Sequence, residues 1–251
     1  MRLAAGLQQR RPMDPIATSA ASGMRARLES LDMLANNIAN ASTAGYKTDR
    51  EFYSLYRDVE AEDGALAPVI EKPWTDFSQG MLQVTDKPLD LALNGKGFIG
   101  VNGPAGPLYT RNGSFQVSPS GDVVTAEGYP LRLAGGTTLR SQSKDPMQIA
   151  IDGTVQQGGL VLGKLDLADF APGSLVKQGV SLFRPVDGAT PMPATGVEVH
   201  QGKLEGSNVG SAESAVRLVG ILRQFEMLQK TISVSADMNR RALEEVARVG
   251  Q

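Results

Sequence analysis

The sequence contains no cysteine, which excludes disulfides, thiolate metal sites and cysteine nucleophiles. It has one histidine, His200, so a histidine-based metal centre or a catalytic triad would rest on a single ring. Aromatic residues are only 5%, with one tryptophan, which is little material for a large core. Excess charge is lacking too: the net value of −2 gives no basic face for nucleic acid. No apolar run reaches the roughly 18 residues needed to span a bilayer. The opening MRLAAGLQQRRPMDP is basic, but its apolar stretch is too short for a secretory signal. Residues 1–12 read as a leader or an overlong start ahead of Met13.

What the sequence does have is punctuation and periodicity. Glycine and proline number 28 and 14, and they cluster in the middle of the chain. Between Pro88 and Val199, short apolar runs such as FIGVN, SFQV, YPLRL and LVLGKLDL alternate with NGPAGP, RNG, SPSG and AEG. That pattern predicts an antiparallel β domain, and MQIAI-DG-TVQQ reads as a hairpin with a two-residue Asp152-Gly153 loop.

The two ends carry helix spacing instead. Asp14 fits an N-cap and Pro15 a first helical position. Ala17, Ala20, Met24, Leu31, Leu34, Ile38 and Ala41 then recur on one stripe, widened by Leu28 and Ala35 and interrupted by Arg27. This predicts an amphipathic helix roughly 40 Å long. From Ser211 to Val249 there is no proline, and a seam runs through Ala215, Leu218, Leu222, Phe225, Ile232, Ala236, Leu243 and Val246. Gln229 and Asn239 fall on that seam, where polar residues trade stability for register. Both stripes are rich in Ala and Ser, so each helix alone is marginal in water.

Motifs that could carry chemistry are weak. GKGFIG at 95–100 matches G-x-G-x-x-G, but the following VNGPAGPLYT cannot form the helix whose N-terminus would hold a pyrophosphate. SQSK at 141–144 matches S-x-x-K but lacks the accompanying S-D-N and K-T-G. His200, in the alternating VEVHQGKLEG, reads as a structural strand residue. The acidic residues Asp86, Asp90, Asp166 and Asp169 lack the spacing of a calcium loop. No catalytic, cofactor-binding or metal-binding residue is therefore assigned.

ASGMRARLESLDMLANNIANASTAGYK closely resembles the N-terminal signature of bacterial flagellar rod and hook proteins, through ANNIAN at Ala35–Asn40 and T-x-GYK at Thr43–Lys47. Pro88 to Leu131 is similar to the central β segment of that family, and LEGSNV at Leu204–Val209 to its junction before the C-terminal helix. The stretch Arg223–Ala247 is most similar to the proximal-rod member.

The resemblance implies an α+β protein. Long N- and C-terminal helices would form a coiled-coil-like core flanking a central antiparallel β-rich domain. The expected divisions are 1–12, an N-terminal helix and Asn-rich motif at 13–47, a connector at 48–87, the β domain at 88–200, and the junction and C-terminal helix at 201–251. It further implies a structural subunit of the proximal rod, with no cofactor, exported without a cleaved signal through the flagellar export apparatus. The subunit would polymerise in the periplasm with itself and other rod proteins, with no nucleic-acid partner and no membrane span. Assembly would use Met24, Leu31, Leu34, Asn36, Asn37, Ile38, Asn40, Thr43, Gly45, Tyr46, Leu218, Leu222, Phe225, Ile232 and Leu243. The asparagines would bond to adjacent subunits and fix axial register. Three readings stay open beside it: a distal-rod or hook-type subunit, a β-scaffold enzyme using His200, and an extracellular adhesin.

Overall fold

The computed structural model describes residues 15–51, 53–57, 66–70 and 73–249. The 1–12 leader, Met13 and the proposed Asp14 cap lie outside the described residues. The element order is α+β: helix α1 (Pro15–Ala39), a long series of short strands, and helix α2 (Ser211–Val249). The bounds of α2 coincide with the expected Ser211–Val249 span, and Gly220 does not interrupt it.

The described residues divide into two compact units. One holds α1 up to Leu34, the antiparallel pair Tyr53–Arg57 with Leu66–Ile70, and α2 from Ala212. The other holds Ala35–Arg50 and Trp74–Ser211.

The β unit is built as the turn signals predict. Its six-stranded antiparallel sheet runs Leu175–Gln178, Leu182–Pro185, Gly106–Thr110, Phe98–Gly103, Leu167–Asp169, Met192–Pro193 in spatial order. A three-stranded sheet, Met147–Ile149, Thr154–Gln157 and Leu160–Lys164, lies beside further two-stranded pairs. Alternating inward residues meet in one apolar cluster that includes Leu91, Ile99, Val101, Leu131, Val155 and Val199. A second, smaller cluster stacks Phe98, Tyr109, Phe170 and Phe183 edge to face, with Phe77 against it. So few aromatics suffice because five of them are concentrated at one place.

One expectation changes in detail, and the weak dinucleotide match is set aside as the sequence argued. The Asp152-Gly153 hairpin forms, but Ala150 donates to Thr154 O and Gly153 to Ala150 O. The loop is therefore three residues long, a type I turn closed by Gly153 at φ 87°. Residues 95–100 turn into the strand Phe98–Gly103 with no helix following, which removes the dinucleotide reading.

The helix stripes are shifted from the expected seams. On α1 the buried side is Ala20, Gly23, Ala26, Ser30 and Leu34, while Leu28 and Ile38 are exposed. On α2 the covered row is Ser214, Leu218, Ile221, Phe225, Leu228, Ile232 and Ser235, in steps of three and four. Leu218, Phe225 and Ile232 are shared with the expected seam; Ala215, Leu222 and Ala236 are one residue off and exposed. Small residues occupy the covered side of α1, where hydrophobicity alone favours Leu28 and Ile38.

Candidate functional site

The Asn-rich stretch begins inside the last turn of α1. Asn40 closes it: its backbone N–H reaches Asn36 O and Asn37 O, and its amide Nδ2 donates to Asn36 O and Oδ1 at 2.9 Å each. Thr43 donates to Asn40 Oδ1. This is a polar C-cap that satisfies orphan carbonyls. The chain then turns at Gly45, which has φ 66°. A Cβ there would sit 2.2 Å from the backbone of Arg111 and Asn112, so both conformation and space demand glycine.

Asn37 faces inward and is 3% exposed. Its Oδ1 accepts from Tyr46 OH (2.9 Å) and Asp49 N (3.0 Å), and its Nδ2 donates to Asp49 O at 2.8 Å. The side-chain amide thus pairs with Asp49 as a second peptide group would. Asn208, from the junction before α2, does the same on the other side. It accepts from Thr48 N and Thr48 Oγ1, both at 2.8 Å, and donates to Asp76 O at 2.7 Å.

Between the two amides lies a buried charge cluster. Lys47 and Glu205 are both 0% exposed and meet at 2.6 Å. Glu205 Oε1 also accepts from Gly80 N, and Oε2 from Arg111 Nη1 at 3.1 Å. Lys47 Nζ donates in addition to Ser78 O, and Arg111 Nη2 to Gly95 O. The Glu205 main-chain carbonyl accepts from Gly45 N at 2.7 Å. One carboxylate therefore joins segments 158 residues apart in sequence. Burial pushes the Lys47 ammonium below its ordinary value, with Glu205 opposing the shift. Lys177 reaches in from the sheet to Asp49 Oδ2 (2.6 Å) and Lys47 O (2.8 Å), over the face of Tyr46 at 4.2 Å. Burial, then the Asp49 charge, pushes the Tyr46 phenol up to about 12.

These contacts form a collar of three segments, 37–50, 74–84 and 203–209, further zipped by backbone pairing of Asp49–Arg50 with Trp74–Thr75 and of Lys203–Glu205 with Leu82–Val84. Of the residues singled out in the sequence, Asn37, Gly45 and Tyr46 are buried in the collar; Asn40 and Thr43 are half-buried at its edge; Asn36 and Ile38 are exposed. Met24 and Leu31 are half-buried and Leu34 buried on α1. Leu218, Phe225 and Ile232 line the covered side of α2, whereas Leu222 and Leu243 are exposed. Lys47, Arg111, Glu205 and Asn208 were missed as site residues. Lys47 stands inside the GYK motif and Glu205 and Asn208 inside LEGSNV, so the motifs themselves were the signal. His200 lies on the strand Glu198–Gln201, 3.3 Å from Glu198.

In the other unit, α2 presents a second apolar row. At about 100° per residue, Val216, Met227, Val234 and Met238 fall within roughly 40° of one another, on the side away from Ser214, Ile221 and Phe225. Val216 is 75% exposed, Met227 62% and Met238 64%. Arg223, Lys230, Arg241 and Glu245 share that side and are exposed too, so the Val and Met side chains are interleaved with charges. No helix is long and apolar enough to cross a membrane among the described residues, and those residues hold no metal-binding cluster.

Comparison with known proteins agrees at three places. Residues 18–47 match the model described as flagella basal body rod protein. Residues 92–157 match the flagellar hook protein FlgE/F/G D1 domain, and 200–245 the C-terminal part of flagellar basal body rod FlgEFG proteins. The flagellar basal-body rod protein FlgF of Caulobacter vibrioides is 34% identical over 87% of this chain and 92% of its own length. The protein named FlgG from the same organism is 32% identical over 88% and 95%. FlgF of Mesorhizobium japonicum is 30% identical over 88% and 93%.

Proposed function

The chain belongs to the family of flagellar basal-body rod proteins, structural subunits rather than enzymes, and on that premise we propose that it polymerises into the proximal rod through the outward faces of its helices. The observation that carries this reading is the open apolar row of α2. A row of Val and Met left in water opposite a covered stripe is a surface waiting for a second layer. Helices from neighbouring subunits, stacked head to tail, would cover it and form a coiled-coil-like core around the rod axis. Leu222 on α2, Leu243 beyond the covered end of the stripe, and Asn36 and Ile38 at the end of α1 are the further exposed contacts of that reading. Asn37, Gly45 and Tyr46 contribute by shaping the collar.

Likeness of Arg223–Ala247 to the proximal-rod member supports the proximal assignment over the distal one. Passage through the flagellar export apparatus to the periplasm, and transmission of torque along the polymer, complete the proposal. The cysteine-free composition suits passage as an extended chain. Deleting the gene and recovering hook–basal bodies tests it. The chain should be found in the rod of the parent strain, and the deletion should lack every more distal component. Basal bodies that carry a complete rod and hook without it would overturn the reading.

A further inference from the structure

The collar is attached to the β unit by a different kind of chemistry from the one that holds the β unit together. The main apolar cluster is drawn from residues between Leu91 and Val199, and no residue of 37–50, 74–84 or 203–209 belongs to it. Apart from Phe77, which packs edge to face on Phe98 and Phe183, the collar's attachments are amide, backbone and charge contacts that converge on Glu205. Such a layer has its own opening equilibrium, because losing it exposes polar groups that water can serve and leaves the apolar cluster covered. It is also all-or-none. Two buried cations face one carboxylate, and a partly made buried ionic network is worse than a complete one or none.

We propose that residues 37–50, 74–84 and 203–209 open and close as one latch, independently of the β core, with Glu205 as the group on which closure depends. Its closure places the end of α1 beside the start of α2. The segment after α1 and the segment before α2 are joined directly: Gly45 donates to Glu205 O, and Asn208 holds Thr48. Since Lys47 and Glu205 lie at opposite ends of the sequence, the latch cannot close until the C-terminal junction has arrived. The segment after α1 and the segment before α2 are thus joined by a step separate from folding of the β core. This holds for the purified chain whether or not the chain is a proximal-rod subunit.

Native-state hydrogen exchange of the full chain tests it. In the wild type the amides of Gly45, Thr48, Asp49, Asp76 and Gly80, each bonded within the collar, should share one protection factor. That factor should be lower than the one shared by Gly100, Val123, Leu131 and Leu139 in the core. In Glu205→Gln the collar amides should lose protection together, by roughly 100-fold, while the core amides keep theirs. Collar amides that scatter without a common factor, or that exchange only with the core, would overturn the proposal. A second readout uses the absence of native cysteine: labels placed by Ser42→Cys and Gly210→Cys, both exposed positions. They should give one narrow distance in the wild type and a broad distribution with Glu205→Gln. An unchanged distribution would equally refute the latch.

Discussion

The β unit and the C-terminal helix treat apolar side chains in opposite ways. Ile99, Val101, Leu131 and Val155 are fully buried within one cluster. Val216, Met227 and Met238 are more than half exposed along one helix face. The first region is finished within the chain; the second is not. The collar belongs with the finished part, although its residues are polar. Motifs that resemble an assembly signature thus serve internal construction at Asn37, Lys47, Gly45 and Glu205, and the surfaces proposed for partners lie on the helices.

That contrast can be broken most forcefully at the collar. Glu205→Ala leaves Lys47 and Arg111 buried without their carboxylate, and should lower stability by about 3–5 kcal/mol in urea unfolding; a loss under 1 kcal/mol would mean that the cluster is solvated in solution. Ile99→Ala, in the apolar core, should cost about 2–5 kcal/mol by the same assay. Met238→Ala on the open side of α2 should change stability by less than about 0.5 kcal/mol, and a larger effect would show that α2 is covered in the free chain. Gly45→Ala meets both a left-handed backbone and a backbone collision. A loss of about 2 kcal/mol or more is expected, read from the unfolding midpoint.

A finer test uses pH. Tyr46 keeps its proton in the folded chain up to about 12, whereas an unfolded phenol ionises near 10. Its contribution is complete below pH 10 and is lost as pH rises toward 12, at up to about 1.4 kcal/mol per pH unit. Lys47 and Lys177 are shifted down by burial and act in the opposite sense, so the informative quantity is wild type minus Tyr46→Phe. That difference should shrink across this window; a flat difference would place the phenol in water.

Much of the finished region was legible in advance. Turn dipeptides and alternation gave the β domain, and helix spacing gave α2. The loop at Asp152 and the phase of the α2 seam were missed by one residue each. Periodicity counts apolar side chains, while covering a helix face also selects small ones such as Ser214 and Ser235. The pairing within the collar was not legible for another reason. The motifs mark Lys47 and Glu205, but only the fold brings them to 2.6 Å, and no local pattern encodes a partner 158 residues away.

The claim that α2 is unfinished is tested most directly by Met227→Glu combined with Val234→Glu. We predict a monomer whose unfolding midpoint matches the wild type to within about 0.5 kcal/mol, yet which is missing from purified basal bodies and fails to restore swimming. Full incorporation and normal motility of this variant would contradict the account.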